Sequence, residues 1–129
     1  MAGNVLLDTN IVIALFAKDP VVMEKLSNTE AVFIPSVVLG ELLYGALESA
    51  RQSENVRRVE DFAAGRTVLN CDAWVARAYG QIKHELRTRG TPIPDNDIWI
   101  AAVAREHVIT VISRDAHFQK VPDLKLEVW

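Results

Sequence analysis

The sequence predicts an α/β fold: three layers, with helices on both faces of a central, mainly parallel sheet of four to five strands. Three observations predict it. Short apolar, β-prone runs such as "NVLL", "AVFIP" and "VITVIS" recur along the chain, separated by stretches of helical character. They are apolar throughout instead of alternating with polar residues, as strands covered on both faces require. The segments between them are long enough for helical crossovers, which link parallel neighbours with a right-handed turn.

Residues 4 to 7 form the first strand, and a helix follows at once with Thr9 or Asn10 placed to cap it. Pro20 opens a second short helix reaching about Asn28, because its fixed φ suits the first helical position. "AVFIP" is the second strand, ended by Pro35, after which Ser36 caps a third helix running to about Ala50. Gly40 and Gly45 each cost that helix roughly 1 kcal/mol relative to Ala, which implies close helix packing around them. The polar stretch "RQSEN" gives way to a fourth helix ending near Gly65, followed by the short strand "TVLN". Asp72 caps a long fifth helix with Val75, Ala78, Tyr79, Ile82 and Leu86 on one face, and Gly90 stops it. "TPIP" forces an extended link. Residues 95 to 107 form an almost wholly apolar helix, "VITVIS" is a buried strand, and the last strand is "LKLEVW".

At 129 residues the chain is expected to be one domain, 1–129, able to remove about two thirds of its unfolded surface from water. The longest uninterrupted apolar run, "IVIALFA", is far below the roughly 20 residues of a membrane-spanning helix, so no membrane contact and a cytoplasmic location are expected. The lone Cys71 fits a reducing compartment and reads as a small core residue. A formal net charge of -3 argues against a broad basic nucleic-acid face. With four acids committed to a cation, however, the rest of the chain turns slightly positive, and a modest nucleic-acid path remains possible. Neither a phosphate-gripping GxxxxGK[ST] or GxGxxG loop nor a GxSxG nucleophile elbow occurs.

The acids carry the chemical signal. In open parallel sheets the functional cleft lies beyond the carboxyl ends of the strands. Asp8 directly follows "NVLL", and Asp115 lies three residues after "VITVI", so two apolar strands each deliver an aspartate to that edge. Asp97 falls in the first turn of the "IWIAAVA" helix, and Glu41 shares a stripe of the third helix with Val37, Val38, Tyr44 and Gly45. Taken singly, Asp8, Asp97 and Asp115 are also what caps and helix starts use. Together they repel: two like charges about 4 Å apart oppose each other by about 4 kcal/mol at an effective dielectric of roughly 20. A divalent cation removes that cost, and all-oxygen ligands select a hard or borderline ion such as Mg²⁺ or Mn²⁺. Water kept by such an ion can be activated toward phosphorus.

With these residues placed, the sequence resembles the PIN-domain family, and within it the VapC-type toxin ribonucleases of bacterial toxin-antitoxin pairs. The resemblance rests on "LLDTNIVIALF", "IPSVVLGELLYGA", "PIPDNDIWIAAVA" and "VISRDAHF", in that order over nearly the whole chain. It implies a PIN-like fold in which Asp8, Glu41, Asp97 and Asp115 are the catalytic, metal-binding acids. Asn96 and Ser113 match supporting polar positions, Thr9 and Asn10 orient the first acid, and Asp95 is left as a helix cap. The resemblance further implies Mg²⁺- or Mn²⁺-dependent hydrolysis of RNA, a homodimer held by the early helices, and a cognate antitoxin through which DNA is met only indirectly. The antitoxin's extended segment would use an apolar groove among the first helices, most of whose apolar side chains are nevertheless expected in the core.

Arg51, Arg57, Arg58, Lys83, Arg87 and Arg114, with Arg89, are candidates to guide an RNA backbone. His117 reads as a packing or turn residue, and Trp74, Trp99 and Trp129 as core. The rival classes are a phosphoacceptor signalling domain, a catalytically silent binding or regulatory module, and a DNA-directed nuclease. The first wants a Lys after a late strand, where this chain has Arg114 and Asp115. The second sits poorly with four intact acids. The third generally requires extra helices, for which 129 residues leave little room.

Overall fold

The structure, a computed structural model, describes residues 3–129. Its strands β1 (Asn4–Leu7), β2 (Ala31–Pro35), β3 (Thr67–Leu69), β4 (Thr110–Ile112) and β5 (Leu126–Glu127) pair in parallel throughout, in the order β3-β2-β1-β4-β5. Helices α1 (Thr9–Phe16) and α2 (Pro20–Ser27) join β1 to β2, and α3 (Ser36–Leu47) and α4 (Gln52–Ala64) join β2 to β3. Helices α5 (Ala73–Thr88) and α6 (Asp95–His107) carry the chain back past β1 to β4. Crossovers of one hand that first step away from β1 and then return across it put the two sets of helices on opposite faces.

Register positions the site. Leu7 lies opposite Ile112, so β1 and β4 end level with each other, and the Asp8 amide donates to the Ile112 carbonyl at 3.0 Å. β1 and β4 are also where the strand order reverses, the place at which such sheets open a cleft. Val5, Leu6 and Leu7 are fully buried, as the unbroken apolar run requires, and α6 buries Ile98 and every residue from Ile100 to Ala104.

Several local expectations are corrected. Asp8, in an extended conformation, is the N-cap of α1, in place of Thr9 or Asn10. Pro35 and Pro94 occupy the N-cap positions of α3 and α6, so Ser36 and Asp95 are first helical residues and not caps. Helix α4 already takes in most of the polar "RQSEN" stretch. β4 and β5 are shorter than "VITVIS" and "LKLEVW". Val108 turns α6 toward the sheet at φ 53°, a left-handed conformation that a β-branched residue adopts only at a cost, and this turn takes the first residues of the run. At Gly40 and Gly45 an added Cβ would meet nothing within 4 Å, so neither marks close packing. Cys71 and Trp74 are exposed, not core, because both follow the edge strand β3, beyond which no further strand covers them. Trp74 instead carries the Arg77 guanidinium 4.8 Å from its ring centroid. Trp129 is buried as expected, and Trp99 is half-buried and stacked on Tyr79 at 4.0 Å.

Candidate active site

Asp8 leaves β1 as its chain turns into α1, and it is one of two buried polar residues among the described residues, at 5 % exposure; Ser113 is the other. Its Oδ1 accepts from the Thr9 amide at 2.7 Å and its Oδ2 from the Ser113 hydroxyl at 2.6 Å. Burial pushes the Asp8 carboxyl above the ordinary carboxylate range, those two bonds pull it back, and the negative charges of Asp97 and Glu41 push it up again. Asp8 is therefore electrostatically coupled to acids on two other helices.

Glu41, half-buried on α3, accepts from Thr9 Oγ1 at 3.0 Å, so the residue after the first acid orients another. Asp97 lies in the first turn of α6, where the helix dipole favours a negative charge. Burial raises its carboxyl, its bond to His117 lowers it, and the neighbouring Asp115 raises it. Asp115 follows β4 and caps the 3₁₀ turn Ala116–Lys120, accepting from the His117 amide at 2.9 Å. Asn10 donates weakly to Ser113 Oγ at 3.4 Å and accepts from the Arg114 amide at 3.3 Å. Asp8 is thus coupled by charge to Glu41 and Asp97, and Asp97 to Asp115, with Thr9, Asn10 and Ser113 bonded among them; the group within ligand distance takes in Asp97 and Asp115 but not Asp8 or Glu41. Asn96 does not join them: it is exposed, and among the described residues it makes no side-chain hydrogen bond to an acid. Asp95 turns outward to Lys83 and the Tyr79 hydroxyl, each at 3.0 Å.

His117 belongs to the cluster, against its reading as a packing residue. Its Nδ1 lies 2.9 Å from Asp97 Oδ2 and 3.0 Å from Asp115 Oδ1. One ligand atom each from Asp97, Asp115 and His117 lie within 4.8 Å of one another. The sequence signal was "DAHF": a capping aspartate fixes the backbone two residues on, and the fully buried Phe118 anchors the next position. Carboxylates with one imidazole form a donor set that suits a hard or borderline divalent ion, with Asp8 and Glu41 alongside.

The family model for the PIN domain matches residues 5–124. The chain belongs to the PIN-domain family. Among curated relatives, this PIN domain is 35 % identical over 127 residues to ribonuclease VapC2 of Haemophilus influenzae, with 96 % of each chain covered. It is 34 % identical over 127 residues to the tRNA(fMet)-specific endonuclease VapC of Salmonella typhimurium, again with 96 % of each covered. Among solved structures, it is similar to DNA-bound VapBC from Salmonella typhimurium, with a TM-score of 0.91, 32 % identity and coverage of 100 % of this chain and 99 % of that one. VapBC2 from Rickettsia felis, bound to a promoter DNA fragment, matches with a TM-score of 0.89, 28 % identity and 98 % of each chain covered.

Beside the acids the PIN domain has a groove of about 420 Å³, lined by Ile13, Phe16, Glu41, Leu42 and Val59, with Arg58 at its wall. Of the early apolar side chains, Ile11, Val12, Val22, Val38 and Leu42 enter the core, whereas Ile13, Val21, Met23, Tyr44 and Leu47 stay exposed. The basic residues divide similarly. The Arg58 guanidinium lies 5.6 Å over the Phe16 ring, and Arg57, Arg87 and Arg89 are exposed. Arg51 faces Glu54 at 3.6 Å, and Lys83 is held by Asp95. Arg114 is committed elsewhere, donating to Asp19 Oδ2 at 2.9 Å and to the Trp129 carbonyl at 2.8 Å. No helix among the described residues is long and apolar enough to cross a membrane.

Proposed function

We propose that this PIN domain is a metal-dependent endoribonuclease that hydrolyses RNA phosphodiester bonds and serves as the toxin of a bacterial toxin-antitoxin pair. The observation that carries the reading is the charge coupling of Asp8 to Glu41 and Asp97, and of Asp97 to Asp115, beside the β1/β4 edge, a repulsion that the bonds from Ser113, Thr9 and His117 offset in part and that a cation would relieve. The ribonuclease relatives at 34–35 % identity support the choice of RNA.

Asp8, Glu41, Asp97 and Asp115 are the residues that would hold Mg²⁺ or Mn²⁺, which when bound would supply Lewis acidity toward water and a departing phosphate oxygen. Asp8 is kept in place by the Thr9 amide and the Ser113 hydroxyl, and Glu41 by the Thr9 hydroxyl. Carboxylate oxygens not engaged in those bonds are available to accept the proton that the attacking water releases. Arg58, with Arg57 nearby on α4, meets the phosphate backbone as it approaches the groove. An antitoxin segment that covers the same groove blocks that path, and its DNA-binding part is what brings the toxin to DNA. The solved complexes of similar chains with VapB support this partner. The protomer pairs with a second copy through its early helices, which leave Ile13, Val21 and Met23 exposed.

Digestion of matched single-stranded RNA and DNA with Mn²⁺, with Mg²⁺ and with chelator tests the reading. RNA cleavage is expected with either metal, lost with chelator and lost in Asp8→Asn and Asp97→Asn. DNA cleavage in preference to RNA would make the chain a DNA-directed nuclease, and inertness toward both would leave a silent binding module.

A further inference from the structure

The position of His117 in the acid cluster is built, not incidental. Asp115 Oδ1 accepts from the His117 amide at 2.9 Å, which fixes the main chain, and the next residue, Phe118, is 1 % exposed in the core. The imidazole is left with one freedom, rotation of its side chain, and it uses it to bring Nδ1 between two carboxylates from different segments, 2.9 Å from Asp97 and 3.0 Å from Asp115. A single N–H proton points in one direction and cannot serve two such oxygens linearly. Adjacent ligands of an octahedral ion with bonds of about 2.1 Å lie about 3.0 Å apart, which is the spacing on both sides of Nδ1. A metal-ligating imidazole offers the ion one ring nitrogen and leaves its other N–H to a neighbour or to solvent, and the His117 side chain is 41 % exposed.

We propose that His117 is a nitrogen ligand of the active-site cation, sharing one face of it with Asp97 and Asp115, and that the site therefore prefers Mn²⁺ to Mg²⁺. This rests on the metal-dependent reading above and deepens it. Imidazole suits borderline transition ions, whereas Mg²⁺ selects oxygen and sheds water reluctantly, so a mixed oxygen and nitrogen face separates the two. His117 thereby biases the site toward Mn²⁺ without closing it to Mg²⁺.

The test is pulsed EPR on the full chain loaded with Mn²⁺ alone, together with calorimetric titration of the metal-free protein with MnCl₂ and with MgCl₂. Wild type is expected to show ¹⁴N coupling to the Mn²⁺ electron spin, absent in His117→Gln. That substitution is expected to weaken Mn²⁺ binding by at least about tenfold and to leave Mg²⁺ binding nearly unchanged. Bound Mn²⁺ with no ¹⁴N coupling in wild type overturns the proposal and leaves His117 as a hydrogen-bonding clip, even where RNA cleavage is intact. Because the wild-type spectrum decides, a variant that fails to fold does not rescue the idea. Absence of any Mn²⁺ binding overturns this proposal and the metal-dependent reading together.

Discussion

The hydroxyl of Ser113 donates to Asp8 Oδ2 at 2.6 Å, joining two residues that are 105 positions apart in the chain. Ser113 Oγ in turn accepts from the Asp115 amide at 2.9 Å. One fully buried serine at the end of β4 thus ties the acid at the end of β1 to the backbone of the acid that follows β4.

Removing that hydroxyl strands a buried carboxylate oxygen and an amide. Ser113→Ala is expected to cost about 1–3 kcal/mol in a urea titration of the metal-free protein. An unchanged midpoint would show that the bond adds nothing to stability.

The raised carboxyls of Asp8 and Asp97 set a pH dependence whose sign is opposite to that of ordinary paired aspartates. Native protein holds these protons more tightly than the unfolded chain does. Their contribution is therefore fully present below the unfolded value of 3.8 and is lost as pH rises through the native values. Metal-free protein is expected to lose part of its melting temperature over that rise. In Asp8→Asn the loss is smaller, and near pH 7 in EDTA the variant melts above wild type. A wild type that outlasts it there would contradict the assigned electrostatics.

A cation reverses the penalty. At free Mn²⁺ about 100 times its Kd the native state should gain about 2.7 kcal/mol, read as a higher melting temperature that EDTA abolishes. Asp97→Asn should remove most of that shift, and an equal shift in the variant would place the ion elsewhere.

Arg58 and Arg114 should part company. Arg58→Ala is expected to weaken RNA binding and to lower the slope of log K against log salt by about 1. Arg114→Ala removes partners from Asp19 and the Trp129 carbonyl, and is expected to lower the melting temperature with RNA affinity unchanged. Filter binding across a salt series separates the two effects.

At Val108 the left-handed backbone is strained for valine, and its side chain is 67 % exposed, so little burial is lost on truncation. Val108→Gly is expected to stabilise by about 1 kcal/mol. Thermal denaturation reads it directly, and a destabilised variant would mean that the added freedom of the unfolded chain outweighs the relief of αL strain.

Sequence by itself determined the alternation of strands and helices, the parallel class of the sheet and the placing of Asp8, Asp97 and Asp115 at strand ends and a helix start. Those features are written in local signals: unbroken apolar runs, helical periodicity, and Asp8, Asp97 and Asp115 at chain turns. Tertiary structure alone decided what distant segments do to one another. It turned Arg114 toward Asp19, 95 residues away, and left Cys71 and Trp74 uncovered beyond an edge strand. It also brought His117 against an aspartate 20 residues upstream. Periodicity and capping act over a few residues of chain, whereas a side chain's partner is fixed by strand order and register, which place β4 beside β1 and α6 above their shared edge.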